Sequence, residues 1–296
     1  ALWLVSVKEP RSYGGEPVFA KTLQNLDNLG RLTIETPKTV VNLQLEDNLW
    51  RVMEIGNYYA GYRQINNLFN DFADARIYRR RGPATDADEN KFGLDDNAFR
   101  VITRDAGGQI LNSVLIGKAA ADNLYHFARI EGEKDVFLIT GNFSFPKTAV
   151  SWLQQPLLSL SPADIRSLKI GQETAVRSDI IVPFKIKGKQ AVPDISRYLN
   201  ALGFVAAYDV RRSADFDRLQ FSAPKSLTVT TFDGLVVTIE VYGRTGEEYW
   251  ASLKFSTTTL PTTAVNDYIK SSAFLYEDWY FRLAPDVGRI LFNAFI

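Results

Sequence analysis

Asn97–Ile130, NAFRVITRDAGGQILNSVLIGKAAADNLYHFARI, is the stretch whose reading decides the fold. Phe99, Val101 and Thr103 alternate with Arg100, Ile102 and Arg104, the period of two that marks a strand. Asp105-Ala-Gly-Gly108 supplies residues that reach positive φ at little cost, so a hairpin turn is expected there. Leu111–Ile116 returns, Gly117-Lys118 closes it, and Tyr125–Ile130 and Val136–Ile139 add two more antiparallel strands. A degenerate copy follows at Leu227–Phe255, LTVTTFDGLVVTIEVYGRTGEEYWASLKF, with Phe232-Asp233-Gly234 as its turn.

Working outward, the same order of elements precedes each copy. Arg31–Glu35 and Val40–Leu45 form an expected hairpin, and Trp50 follows it. Gly61–Asp74 carries Tyr62, Ile65, Phe69 and Phe72 at three- and four-residue steps, which predicts a helix with one apolar stripe. Arg76–Arg80 (RIYRR) predicts a strand, and Gly82–Asn90 a polar loop. In the second half Pro193–Gly203 predicts a helix with Ile195, Leu199 and Leu202 on one face. Val205–Arg212 (VAAYDVRR) repeats the arginine-ended strand. Ile65 to Ile195, Asp105 to Asp233 and Gly117 to Gly243 are 130, 128 and 126 residues apart. Three landmarks in one order with small drift predict an internal repeat. The expected class is α+β: two related units, each an antiparallel sheet with one helix packed on a face. The expected division is 1–160 and 161–296, with LLSLSPADIRSLKI (Leu157–Ile170) at the join and an aromatic helical tail over Phe274–Ile296.

Composition narrows the function classes. Lys plus Arg equals Asp plus Glu at 34 each, so no basic footprint points to nucleic acid. There is no Cys, which removes disulfides, thiolate metal sites and Cys nucleophiles, and His126 is the only histidine. The apolar start ALWLVSV is far short of the roughly 20 residues that span a bilayer. It reads as a first strand, or as the stub of a signal peptide or membrane anchor.

Each candidate site has a bland counterpart. Ser144-Phe-Pro-Lys147 has the spacing of a Ser–Lys nucleophile but lacks the companion motifs. Asp86-Ala-Asp88-Glu-Asn90 begins like a calcium loop, yet its sixth position is Lys91 and its twelfth Asn97, which favours a solvated acidic loop. His126 sits in an alternating strand, where a packed histidine is expected. Asp95/Asp96 and Glu247/Glu248 are adjacent, so in a strand they face opposite ways and form no dyad. The arginines of the two similar strands, Arg76, Arg79, Arg80, Arg211 and Arg212, are candidates for contact with an anion or lipid headgroup. Their structural counterpart is protection of a sheet edge. Exposed aromatics such as Trp250, Tyr249 or Trp3 would serve a glycan- or peptide-binding module. No catalytic set, metal site or cofactor is expected.

Taken together, the early Trp50 hairpin, the apolar helix, FGLD (Phe92–Asp95), LIGK (Leu115–Lys118), LYHFARI, DVFLI and LLSLSPADIRSLKI form a set. It resembles the bacterial family called domain of unknown function 4340 over most of the chain. In the second half FGLD has become LQFS (Leu219–Ser222), and Arg244 stands where Lys118 stood. The resemblance implies an envelope protein, membrane-anchored in full length, with its body on the periplasmic side of the inner membrane. It also implies membrane transporter components of ABC type as partners, and it carries over no catalytic residues.

Overall fold

The computed structural model describes residues 15–83, 85–96, 98–121, 123–186, 195–244 and 246–293. The start ALWLVSV with Trp3 and the first two residues of the expected Pro193–Gly203 helix lie outside them. The chain divides into two compact units between Gln154 and Gln155. The segment 155–160 therefore goes with the second unit, where Leu157 N and Leu160 N donate to Val205 O and Leu202 O.

The first unit runs α1 (Ala20–Gln24), β1 (Leu29–Glu35), β2 (Val40–Glu46), β3 (Leu49–Val52), β4 (Tyr58–Tyr59), α2 (Tyr62–Asp74) and β5 (Arg76–Pro83). It continues with α3 (Asp86–Phe92), β6 (Phe99–Asp105), β7 (Ile110–Ala119), β8 (His126–Ile130) and β9 (Asp135–Thr140). Among the described residues the strands form one sheet in the order β4-β3-β2-β1-β6-β7-β8-β9-β5, antiparallel throughout. Leu32, Ile34, Val101, Val114, Ile116, Ala128 and Ile139 share one face through the ladder and are fully buried. On that core face α2 buries Ile65, Leu68, Phe69 and Phe72, with Phe69 6.0 Å from Trp50 and Phe72 stacked on Phe19. Tyr62, expected on the apolar stripe, is 38% exposed, because the stripe runs through Leu68 instead.

The second unit runs β10 (Ile165–Ile170), β11 (Glu173–Val176), β12 (Lys185–Ile186), α4 (Ser196–Leu202), β13 (Ala207–Arg212) and β14 (Lys225–Thr231). Then come β15 (Leu235–Arg244), β16 (Glu248–Thr257), α5 (Thr263–Ser272), β17 (Trp279–Leu283) and α6 (Pro285–Phe292). Its sheet order, β12-β11-β10-β14-β15-β16-β17-β13, repeats that of the first unit once β4 is set aside. The registers match residue for residue: Leu168, Ile170, Leu227, Ile239, Val241, Ala251 and Leu283 occupy the core positions just named. Two bulges recur as well. One lies in β1 between Leu29 and Arg31 and in β10 between Ile165 and Ser167. The other lies in β5 at Tyr78 and in β13 at Tyr208. The fold class is α+β, in two similar units. The tail is not helical throughout. Trp279–Leu283 is a strand, because its aromatic side chains complete the sheet beside β13 and β16.

The expected loop at 82–90 is also corrected. Thr85 accepts from Asp88 N and the Asp88 carboxylate accepts from Thr85 N, a reciprocal cap that starts α3. The residues that resembled a calcium loop therefore lie on a helix. No helix among the described residues is long and apolar enough to cross a membrane.

Candidate functional site

A set of polar side chains facing a common concavity lies in the first unit, along α2. A groove of about 540 Å³ separates the polar face of that helix from residues 142–151. Arg63, Asn67, Asn70, Asp71 and Asp74 line one side at helical spacing, and Asn142, Ser144 and Ser151 line the other. The two sides come together because both rest on the core face of the sheet. The segment 141–147 has no regular secondary structure; it buries Phe143 and Phe145 and leaves Asn142 and Ser144 exposed. Helix α2 buries its Ile65–Phe72 stripe and leaves its amides and acids toward the groove. Burial pushes the Asp71 carboxyl up to about 7, and the neighbouring Asp74 adds to the rise. A carboxyl that changes charge near neutral pH inside a groove marks a candidate site on physical grounds.

The residues of the sequence signature have a different role. Phe92, Leu94 and Val136 form a second, smaller core on the face of the sheet opposite α2, with Leu115 and Phe127 packed against it. Gly93 ends α3 in the left-handed region at φ +64°, and Gly93 N donates to Asn90 O. Gly117 of β7 passes so close that a Cβ there would lie 2.4 Å from Phe92 O and 2.8 Å from Gly93 O. The stem of Lys118 covers Gly93, and its Nζ donates to Asn90 O at 3.3 Å. FGLD and GK are thus the two halves of one backbone-to-backbone joint.

The family model described as Domain of unknown function (DUF4340) matches residues 50–224, more than half of the chain. The chain belongs to the DUF4340 family. The match starts at Trp50, takes in the whole joint and reaches into the second unit. No curated protein and no solved structure matches the chain.

In this DUF4340 chain the arginine-ended strands are engaged within the fold. Arg76 is 7% exposed and donates to Ala75 O at 2.9 Å, so it is withdrawn from any external anion. Arg79 lies 5.7 Å from the Tyr78 ring, and Arg80 pairs with Asp135. Arg81 covers Phe92 and Phe127 at 5.4 and 5.7 Å. In the second unit Arg211 covers Trp250 at 4.7 Å and Arg212 covers Trp279 at 5.0 Å. Both strands are the last of their sheets, as edge protection requires. Arg79, Arg80, Arg211 and Arg212 keep exposed surface beyond these partners.

The remaining candidates are dispersed. His126 meets Phe143 edge-on at 5.3 Å; burial, with Lys147 nearby, holds its imidazole below the usual range. Lys147 places its ammonium 4.7 Å over the Phe99 ring, on a segment that is not helical. Ser144 lines the α2 groove, so the Ser–Lys spacing brings no dyad together. Trp250 is fully buried and Tyr249 packs on Phe292, which removes them as a binding platform. Glu248 is held below the usual carboxylate range: burial opposes this, but hydrogen bonds from Trp250 and Arg244 prevail. Glu247 instead pairs with Arg289. Among the described residues no group of three His, Asp or Glu is placed to hold a metal.

The α2 groove was missed in the sequence because its two sides are about 75 residues apart. One signal was present. The outward face of α2 is Asn, Asp and Arg without any Lys or Glu, an unusual choice for a solvated helix face.

Proposed function

We propose that this chain is a non-enzymatic auxiliary of an ABC-type transporter assembly in the bacterial envelope. In this reading it is membrane-tethered in the full-length protein and works on the periplasmic side of the inner membrane. The reading is motivated by what the family resemblance in the sequence implies. The observation that carries it is the dispersal of the reactive side chains: His126 is packed on a phenyl ring, and Ser144 and Lys147 are turned to different surroundings. A tandem repeat whose sheets, bulges and cores recur is a scaffold for presenting surfaces. Arg79, Arg80, Arg211 and Arg212 are the groups proposed to meet anionic headgroups or an acidic partner.

The test is affinity capture of the full-length protein from native membranes. Recovery of a transporter permease or ATPase is the expected result. Capture that repeatedly returns neither, from membranes where the protein is abundant, contradicts the assignment.

A further inference from the structure

We propose that the groove along α2 of the first unit is a binding site for a neutral oligosaccharide. The inference uses residues other than the arginines above and stands independently of a transporter partner.

The first argument is hydrogen-bonding capacity. Arg63, Asn67, Asp71, Asp74, Asn142 and Ser144 all line the groove, and none makes a side-chain hydrogen bond or ion pair among the described residues. The arginines of the edge strands, by contrast, lie on rings, a carboxylate or a carbonyl. Polar side chains converging on a concavity without protein partners are available to a ligand. Asp71 sharpens the point, because it is partly buried and still has no donor among the described residues.

The second argument is chemical class. An amide offers a donor and an acceptor side by side, a carboxylate offers two acceptors, and a guanidinium offers a fork of donors. Adjacent sugar hydroxyls, each both donor and acceptor, complement all three. An anionic ligand would meet Asp71 and Asp74, whose mutual repulsion already raises the Asp71 pKa. A simple cation would face the Arg63 guanidinium, and among the described residues no group of three carboxylate or imidazole ligands is placed to hold one. A peptide is read through apolar pockets for alternate side chains. Here Phe145 and Pro146 are the only apolar lining residues described, and Phe145 is 4% exposed.

The third argument is size. Asn67, Asn70 with Asp71, and Asp74 lie on successive turns of α2, a span of about 10 Å at the helical rise. That length suits two linked sugar rings. Asn142 and Ser144 face it from the other side.

The experiment is calorimetric titration of the whole chain with chitotetraose, cellotetraose and maltotetraose, with tetraglycine as the peptide probe. The protein compared is the double variant Asn67→Ala/Asn142→Ala; both residues are exposed, and thermal melting verifies its fold. The expected result is binding of at least one tetrasaccharide that weakens by about tenfold or more in the folded variant. Absence of saccharide binding by the folded wild type up to about 10 mM overturns the proposal. Binding that the double variant leaves unchanged overturns the site. Tetraglycine binding lost in the variant, with no saccharide bound, overturns the ligand class.

Discussion

The two units share a scaffold and differ in what is mounted on it. Each carries a small second core on the sheet face away from its main core, in the same place. In the first unit it is Phe92, Leu94 and Val136, with Phe127 at its margin. In the second it is Phe216, Tyr242, Trp250 and Tyr280, with Phe221 packed against it. The ladder registers make Trp250 the counterpart of Phe127 and Tyr280 that of Val136. An edge-strand arginine covers the equivalent ring in both: Arg81 over Phe127, Arg211 over Trp250. Beside this core each unit has a groove of similar size, about 540 and 580 Å³. Ser113, Leu115, Arg129 and Glu131 of the first correspond to Thr238, Glu240, Ser252 and Lys254 of the second. The first groove also holds Arg100, Glu133 and Lys134, whereas the second adds Glu277 and Asp278. Backbone register has been kept while surface charge has changed sign, so the repeat preserves what the fold needs and little beyond it.

The comparison can be broken at several points. Trp250→Ala is expected to cost about 3–5 kcal/mol, since it empties a fully buried site ringed by Phe216 and Arg211. Phe127→Ala, at a half-buried position, is expected to cost about 2 kcal/mol. Urea denaturation measures both, and equal costs would show that the second unit does not depend more on its aromatic cluster. Gly117→Ala is next, at about 2–3 kcal/mol, because its Cβ meets carbonyl oxygens of the FGLD backbone. Gly243→Ala, one residue beyond Tyr242, which the registers make the counterpart of Gly117, first meets the Tyr249 and Phe292 rings at 3.2–3.3 Å and should lose less than about 1 kcal/mol. If both behave alike in thermal melts, the joint does not distinguish the units.

Asp71, on the first unit's α2, gives a pH test. Its folded pKa, about 7, lies above its ordinary value of 3.8. The folded state therefore binds the proton more tightly and loses stability as pH rises from about 4 to about 7. Asp71→Asn should equal the wild type near pH 3 and exceed it by about 1–2 kcal/mol at pH 8, after allowance for solvent screening. A variant that gains nothing at pH 8 refutes the burial of that carboxyl. The smallest effects belong to Arg81→Ala and Arg211→Ala, about 0.5–1 kcal/mol each, with the indole-facing Arg211 the larger.

What was legible in the sequence follows from the range of the interactions involved. The β6–β7 hairpin is local, and its Asp105–Gly108 turn announces it. The α2 stripe is local too, and its length was read to within a residue. Helix α3 is hidden in the sequence because Phe92, with Leu94 just beyond it, is the one buried apolar residue described on it. Its signal was the Thr85/Asp88 cap rather than any apolar period. Strand β17 is not legible as a strand because Trp279, Tyr280 and Phe281 are aromatic in succession, which conceals alternation. The arginine-ended strands were visible, but their ring partners were not. Phe127 and Trp250 reach them across two ladders that no local pattern records. The α2 groove depends on one helix and one distant irregular segment sharing a sheet face, and such placement becomes visible only once the sheet is assembled.

The bulges at Tyr78 and Tyr208 also carry a chronology. An extra residue at one register of a strand is a discrete insertion, and two copies bearing it at the same rung inherited it from a common precursor. Parsimony therefore dates this bulge, and that of β1 and β10, to before the duplication. The irregularities at Arg80/Gly82, Thr103/Arg104 and Ile116/Ala119 occur in one copy alone and carry no such date. The single-unit ancestor thus already had an edge strand kinked at a tyrosine. Its descendants doubled a module whose open edge had been made safe beforehand.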